Sequence, residues 1–401
     1  MSNIRKVLLF FLFIAVLDLS GYGQDTSDNK FGKGLQIVAK DSSFSMKFSM
    51  RFQSLYQGQL DLDSDEWGDR FLIRRSRLKF DGFVYHPDFT YKVELGISNR
   101  DTGGGDIDEA GNTARIILDA VAKWKFSKGW SLWFGQTKLP GNRERVISSQ
   151  KLQFVDRSLL NSRFNIDRDI GIQLRHNGKL GNQGVFKQMF SIAMGEGRDI
   201  TSENTGGYDY TFRVEYLPFG EFTSKGDYFG SDLKREPDPK LAIGLTLDHN
   251  VDAARQRGQL GAFVQDSDGN QFATDLTTVF VDAMYKHKGF SFMGEFADKS
   301  ASENVFATLD NGSTIKYVTG DALSLQAGHM MGKNSELAFR YTAVTPDDLV
   351  FSGLREETQY TLGFSKYVVG HSLKVQTDLT YSDRTGRSNL LMYRLQVEVA
   401  F

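Results

Sequence analysis

Cysteine is absent from all 401 residues. An exported chain without it is held together by its core, by assembly or by a membrane, not by disulfides. Proline is nearly as scarce, at 6 residues, while glycine reaches 40 and aromatics 13%. Proline cannot donate to a sheet ladder and aromatic side chains suit a pleated surface, so this balance favours long strands. An excess of one charge is missing too. The formal net charge is −2, which removes the basic signature of nucleic-acid binding, and no nucleic acid is expected as a partner. Mean hydropathy is −0.36. After the first two dozen residues no apolar run approaches the roughly 20 residues that a spanning helix needs.

What stands at the start is MSNIRKVLLFFLFIAVLDLSGYGQ. Arg5 and Lys6 precede an unbroken apolar run over 7–17, and Gly21-Tyr22-Gly23 follows it. That is the layout of a secretory signal peptide, too short to be a membrane span. We expect residues 1–23 to be removed ahead of Gln24 and 24–401 to form one unit. No Pro/Ser-rich linker divides it.

Alternation dominates the rest. In 43–53, Phe44, Met46, Phe48, Met50 and Phe52 alternate with Ser45, Lys47, Ser49 and Arg51. The chain ends with Leu391, Tyr393, Leu395, Val397, Val399 and Phe401 alternating with Arg394, Gln396 and Glu398. About 16 such segments occur, near 43–57, 71–84, 88–98, 114–126, 130–138, 168–176, 186–194, 208–217, 240–248, 274–286, 289–297, 320–330, 335–343, 356–366, 371–382 and 390–401. Short turns follow the even-numbered segments. Longer polar connections, such as 99–113, 139–167, 249–273 and 298–319, mostly follow the odd ones. A meander with one short-turn end and one long-loop end is the pattern of an outer-membrane barrel. The connection 218–239 breaks the pattern.

The stretch FLIRRSRLKF (71–80) sharpens the reading. Period two sets Arg75, Arg77 and Lys79 on one face with Leu78 and Phe80 on the other. Strands cross lipid only as a closed barrel, and about 16 of them enclose water. The cationic face therefore points inward, because a cation in the bilayer centre costs roughly 2–4 kcal/mol. Arg74 falls on the nominally outer face and is expected to snorkel above the hydrocarbon. Tyr85, Phe89, Trp124, Phe126, Trp130, Tyr216, Phe219, Tyr285, Phe290 and Tyr367 crowd the short-turn end and suggest an interfacial girdle. A soluble secreted all-β protein that binds carbohydrate is the rival reading.

Several stretches resemble the phosphate-selective porin O and P family. They are DAVAKWKF (119–126), WFGQTKLPGNRE (133–144), SSQKLQFVDRSLLNSRF (148–164), RDIGIQL (168–174), FLIRRSRLKFDG (71–82), YLPFGEF (216–222), ELAFRYTAVTPDD (336–348) and the strand ending in Phe401. The resemblance implies an all-β, transmembrane antiparallel barrel of 16 strands in the outer membrane of a Gram-negative bacterium. It also implies a homotrimer, a constriction loop at 139–167 folded into the lumen, anion passage along arginines, and a periplasmic position for 218–239. Outer-membrane lipid and small inorganic anions or other small hydrophilic solutes are the expected partners.

Independently, 138–179 holds nine basic residues against four acidic ones. A cationic constriction concentrates anions, and arginine cannot lose its charge. The expected anion path is Arg75, Arg77, Lys79, Arg143, Arg145, Arg157, Arg163 and Arg168. The alternative is that these cations pair with lumen carboxylates such as Asp81, Glu94 and Asp119. A barrel plugged by 139–167 that does not conduct is a further alternative. DLDSDEWGDR (61–70) starts like a calcium loop but has Glu66 and Leu72 where glycine and glutamate are needed. DTGGGDIDEAG (101–111) reads as a polar loop. The six histidines lack metal spacing. Neither a cofactor nor an enzymatic activity is expected.

Overall fold

The computed structural model describes residues 30–102, 114–347 and 354–401. The expected leader, 1–23, and residues 103–111 of the glycine-rich loop lie outside the described residues.

Sixteen long strands follow one another. They are β1 (Phe44–Asp61), β2 (Trp67–Val84), β3 (His86–Gly96) and β4 (Ile117–Ser127), then β5 (Trp130–Lys138), β6 (Arg168–Leu180), β7 (Gly184–Ala193) and β8 (Asp209–Leu217). The second half holds β9 (Lys240–Ala253), β10 (Thr274–His287), β11 (Phe290–Ala301) and β12 (Gly320–Met331), then β13 (Ser335–Thr345), β14 (Glu357–His371), β15 (Leu373–Arg384) and β16 (Leu390–Ala400). Each pairs antiparallel with the next. β16 returns to β1 through Leu395↔Tyr56 and Val399↔Phe52, which closes the ring. A short strand, Leu35–Val38, pairs with 45–48 of β1 just beyond the end of β16. Closure pairs the backbone groups of every strand, the condition for a sheet in hydrocarbon. Among the described residues no helix is long and apolar enough to cross a membrane.

The wall is inside out relative to a soluble domain. Phe134 is 65% exposed, and Ile243, Leu245 and Leu247 all face outward. Alternating with those three, Ala242, Thr246 and Asp248 are buried. The same alternation recurs in β14, where Tyr360 and Leu362 are exposed and Thr361 and Ser365 are buried. An apolar exterior over a polar interior is the arrangement lipid requires.

Strands β1 and β2 run further toward the long-loop end than alternation alone indicates, to Asp61 and from Trp67, and β14 runs further toward the short-turn end, to His371. The register also corrects two expectations. Gln53 pairs with Arg75 and Ser54 with Ile73, so Arg74 is the extra residue of a β-bulge. The bulge resets the parity. Phe71 and Ile73 face lipid, at 83% and 51% exposure, whereas Arg75 and Arg77 face inward. Arg74 does not snorkel outward: its Nε and Nη2 donate to Asp156 in the interior, at 3.0 and 2.7 Å. Tyr367 shares the parity of Thr361 and Ser365, is 1% exposed, and donates to Glu336 at 2.7 Å. It is a lumen residue, not part of the girdle. Other girdle rings do form a chain at the short-turn end, Phe89–Trp124–Phe126–Trp130, which continues onto His176, with centroids 4.4 to 6.5 Å apart.

The cationic lumen

Residues 139–167 leave β5 after Lys138 and rejoin the wall at Arg168, having crossed the lumen. They carry a one-turn helix (Arg143–Val146), a 3-10 turn (Ser149–Lys151) and a second helix (Leu159–Phe164). Ser158 caps the second helix by accepting from the Asn161 amide. The loop has an apolar side that seats on the wall. Leu139, Leu160, Phe164 and Ile166 pack on Ala193, Phe280, Ala297, Ala322 and Val344. Ile147 and Leu152 pack on Leu217, Phe222, Ala242, Met284 and Met293. Wall positions facing the loop tip are emptied of side chain. A Cβ on Gly363 would come within 2.8 Å of Phe154, and one on Gly328 would overlap the Gln153 amide.

Polar anchors fix the rest. Asn142 Nδ2 and the Glu144 amide donate to Glu295, at 2.8 and 3.0 Å. Gln153 Nε2 donates to Glu336 (2.7 Å) and Ser291 (2.9 Å). Gln376 donates to the Leu152 and Gln153 carbonyls. The long connection 218–239, at the short-turn end, also turns inward. Lys286 holds it by donating to the carbonyls of Gly226, Phe229 and Ser231, and its Gly230 amide donates to the Lys151 carbonyl. A third segment, 254–265, leans in from the loop end, where Arg257 donates to the Ser162 carbonyl.

Among the described residues these segments border two principal chambers. The inner one, at the short-turn end, encloses about 600 Å³, and Lys123, Trp133, Lys151, Arg175, Lys187 and Tyr228 are among its lining. The outer one encloses about 720 Å³. Arg77 and Arg168 line both, which places them where the two chambers meet. The outer chamber is lined by eleven arginines against three aspartates, Asp101, Asp167 and Asp266.

The eight expected path residues have different surroundings. Arg75 donates to Gln53 (2.8 Å) and Asp156 (2.9 Å). Arg77 bridges Asp101 and Glu94 at 2.7 and 3.1 Å. Arg168 pairs with Asp119 at 3.2 Å, and Asp119 also takes Lys92 at 2.8 Å. Arg145 pairs with Asp167. Arg157 donates to the loop's own Glu144 and Ile147 carbonyls, at 2.9 and 2.6 Å. No carboxylate of the described residues lies within 4 Å of its guanidinium. These five line the outer chamber. The other three do not. Lys79 pairs with Asp81 at 2.7 Å. Arg163 is half-buried on the second helix and lines neither chamber. Arg143 is fully buried, with Asp282 at 2.5 Å and Glu215 at 3.5 Å.

Loop charges follow these partners. Burial would raise the Asp156 carboxyl, but Arg74 and Arg75 outweigh it and hold it well below the usual carboxylate range. Burial lowers the Arg157 guanidinium, and Arg145 and Arg75 add to the effect. Burial, with Lys79 and Lys225 nearby, brings Lys151 down to about 8. Sequence reasoning missed Arg100, Arg115, Arg198, Arg255 and Arg257, which complete the outer chamber with Arg74. All but Arg74 sit in loops, where alternation carries no direction.

A closed sixteen-stranded barrel, apolar outside and cationic within, crossed by its third long connection, is a porin-type β-barrel. Comparison with known proteins agrees. Residues 46–228 match the family "Phosphate-selective porin O and P", so the expected resemblance is present. An uncharacterized protein of Aquifex aeolicus is 23% identical over 395 residues, covering 92% of this chain and 90% of that one. Among solved structures, the anion-selective porin from Comamonas acidovorans has a TM-score of 0.54 at 13% identity, covering 89% of this chain and all of that one. OmpF of Salmonella typhi, in complex with daunomycin, has a TM-score of 0.55 at 12% identity, covering 92% and 100%. The fold and the family match over residues 46–228 together support an outer-membrane channel.

Proposed function

We propose that the protein is a diffusion porin that favours anions. Residues 1–23 direct its export and are removed, and residues 139–167 act as the constriction. The observation that carries this reading is the imbalance of the outer chamber, eleven arginines against three aspartates. The ring where the chambers meet is nearly balanced, with Arg77, Lys92 and Arg168 facing Glu94 and Asp119. An anion is therefore concentrated above the ring and passes it among alternating charges, without one deep site to trap it. Arg75, Arg77, Arg145, Arg157 and Arg168 form the path, Lys79 serves the periplasmic mouth, and Arg143 holds the loop. A homotrimer is the proposed assembly; one structural neighbour, OmpT of Vibrio cholerae (TM-score 0.51, 10% identity), is described as a trimer form.

Reversal potential in a planar bilayer under a potassium chloride gradient tests the reading. The expected sign is anionic. Arg157→Gln removes a cation that has no carboxylate partner, so the chloride-to-potassium permeability ratio should fall a few-fold while the barrel still assembles. A cationic sign, or a folded barrel that passes no current, would refute the proposal.

A further inference from the structure

The outer chamber has two unlike walls. One carries the arginines Arg75, Arg77, Arg145 and Arg157, from β2 and the 139–167 loop. The other comes from connections 254–273 and 302–319, which join β9 to β10 and β11 to β12. In a sixteen-strand ring β10 stands eight strands from β2, directly across the lumen. That side contributes Leu260, Ala262, Leu309 and Ile315 to the same chamber, beside Arg255, Arg257 and Asp266. Ala262 is exposed, and the other three are half-buried.

This apolar strip is firmly built. Arg255 donates to the Glu196 carbonyl at 2.6 Å and to the Gly261 carbonyl at 2.9 Å. Gln256 donates to the Lys316 carbonyl, and the Val318 amide donates back to the Gln256 carbonyl. Ile315 of the strip packs on a small core of Ala253, Val264, Leu276, Ala307 and Tyr317. A fixed apolar surface in water, facing a wall of guanidinium groups, suits a solute with one charged end and one apolar end. A bare inorganic ion would leave the strip unused.

We propose that the outer chamber binds amphipathic organic anions, with the carboxylate on the arginine wall and the hydrocarbon on the Leu260–Leu309–Ile315 strip. This rests on the anion-porin reading and names the solute class. Taking a methylene fully out of water changes affinity about fourfold, so a one-sided wall should give about twofold per methylene.

The test is block of the chloride current by acetate, butyrate and hexanoate, with inorganic phosphate as reference. The half-blocking concentration should fall about tenfold or more from acetate to hexanoate, with hexanoate blocking better than phosphate. Leu260→Ser and Leu309→Ser, separately and together, should flatten the series. The slope is a ratio taken within each variant, so altered total conductance does not confound it, and heat-modifiable gel migration verifies that each variant is folded. A flat series in the unaltered protein overturns the inference, as does a slope that survives in the folded double variant. Should Leu260→Ser fail to fold, Leu309→Ser alone decides on the same slope. The anion-porin reading fails separately, by a cationic reversal potential measured before any organic acid is added.

Discussion

A guanidinium inside a pore can hold the wall together or hold an anion, and its carboxylate partners decide which. Arg143 belongs to the first kind. Burial opposes its charge, but Asp282 and Glu215 outweigh it and raise its pKa further. Removing one member of such a set leaves buried charges uncompensated, which costs about 3–5 kcal/mol. Arg143→Ala should therefore lower the temperature at which the barrel loses its compact gel migration. It should leave the sign of the selectivity unchanged, because Arg143 lines neither chamber. Arg157 is the opposite case, bound to carbonyl oxygens alone and free to meet a solute.

Among elements, the decisive one is the loop that crosses the lumen. Its tip is not held by complementarity of charge alone, since the wall has yielded space for it. Phe154 occupies the room left by Gly363, and the Arg340 guanidinium stands 4.6 Å from its ring. A larger side chain must push the tip off the wall, and overpacking of this kind costs about 1–3 kcal/mol. Gly363→Val should give a larger and noisier single-channel conductance, with Gly363→Ala intermediate. Unchanged conductance in a folded Gly363→Val barrel would show that the tip does not set the bore. The inward connection 218–239 supports the loop from the other side, through the Gly230 amide and the Lys151 carbonyl.

Across the whole molecule, the proposed anion preference is a property of a field rather than of one site. The net charge of −2 hides it, because acidic residues elsewhere offset the arginines of the outer chamber. Such a field is screened by salt, with a Debye length near 10 Å at 0.1 M and near 3 Å at 1 M. The chloride-to-potassium permeability ratio should fall about twofold or more across that range. A ratio that holds constant would mean that ions are selected by direct contact at the ring of Arg77 and Arg168.

The number of strands, the closed barrel and the side facing lipid were legible in the chain. Period two reports a face directly, and lipid admits only a closed sheet. Even there, parity failed at one residue: the bulge at Arg74 was invisible because an inserted residue leaves composition unchanged. Basic residues in 138–179 were legible as a cluster, but not their roles. Arg143, Arg145 and Arg157 lie within fifteen residues, yet one is sealed in the wall, one is paired and one is open. That division depends on which carboxylates the far strands bring across the lumen, Asp282 and Glu215 above all. Those contacts join residues 72 and 139 positions apart. Local periodicity determined the wall; only tertiary closure decided what fills it, because partners across a barrel are neighbours in space alone.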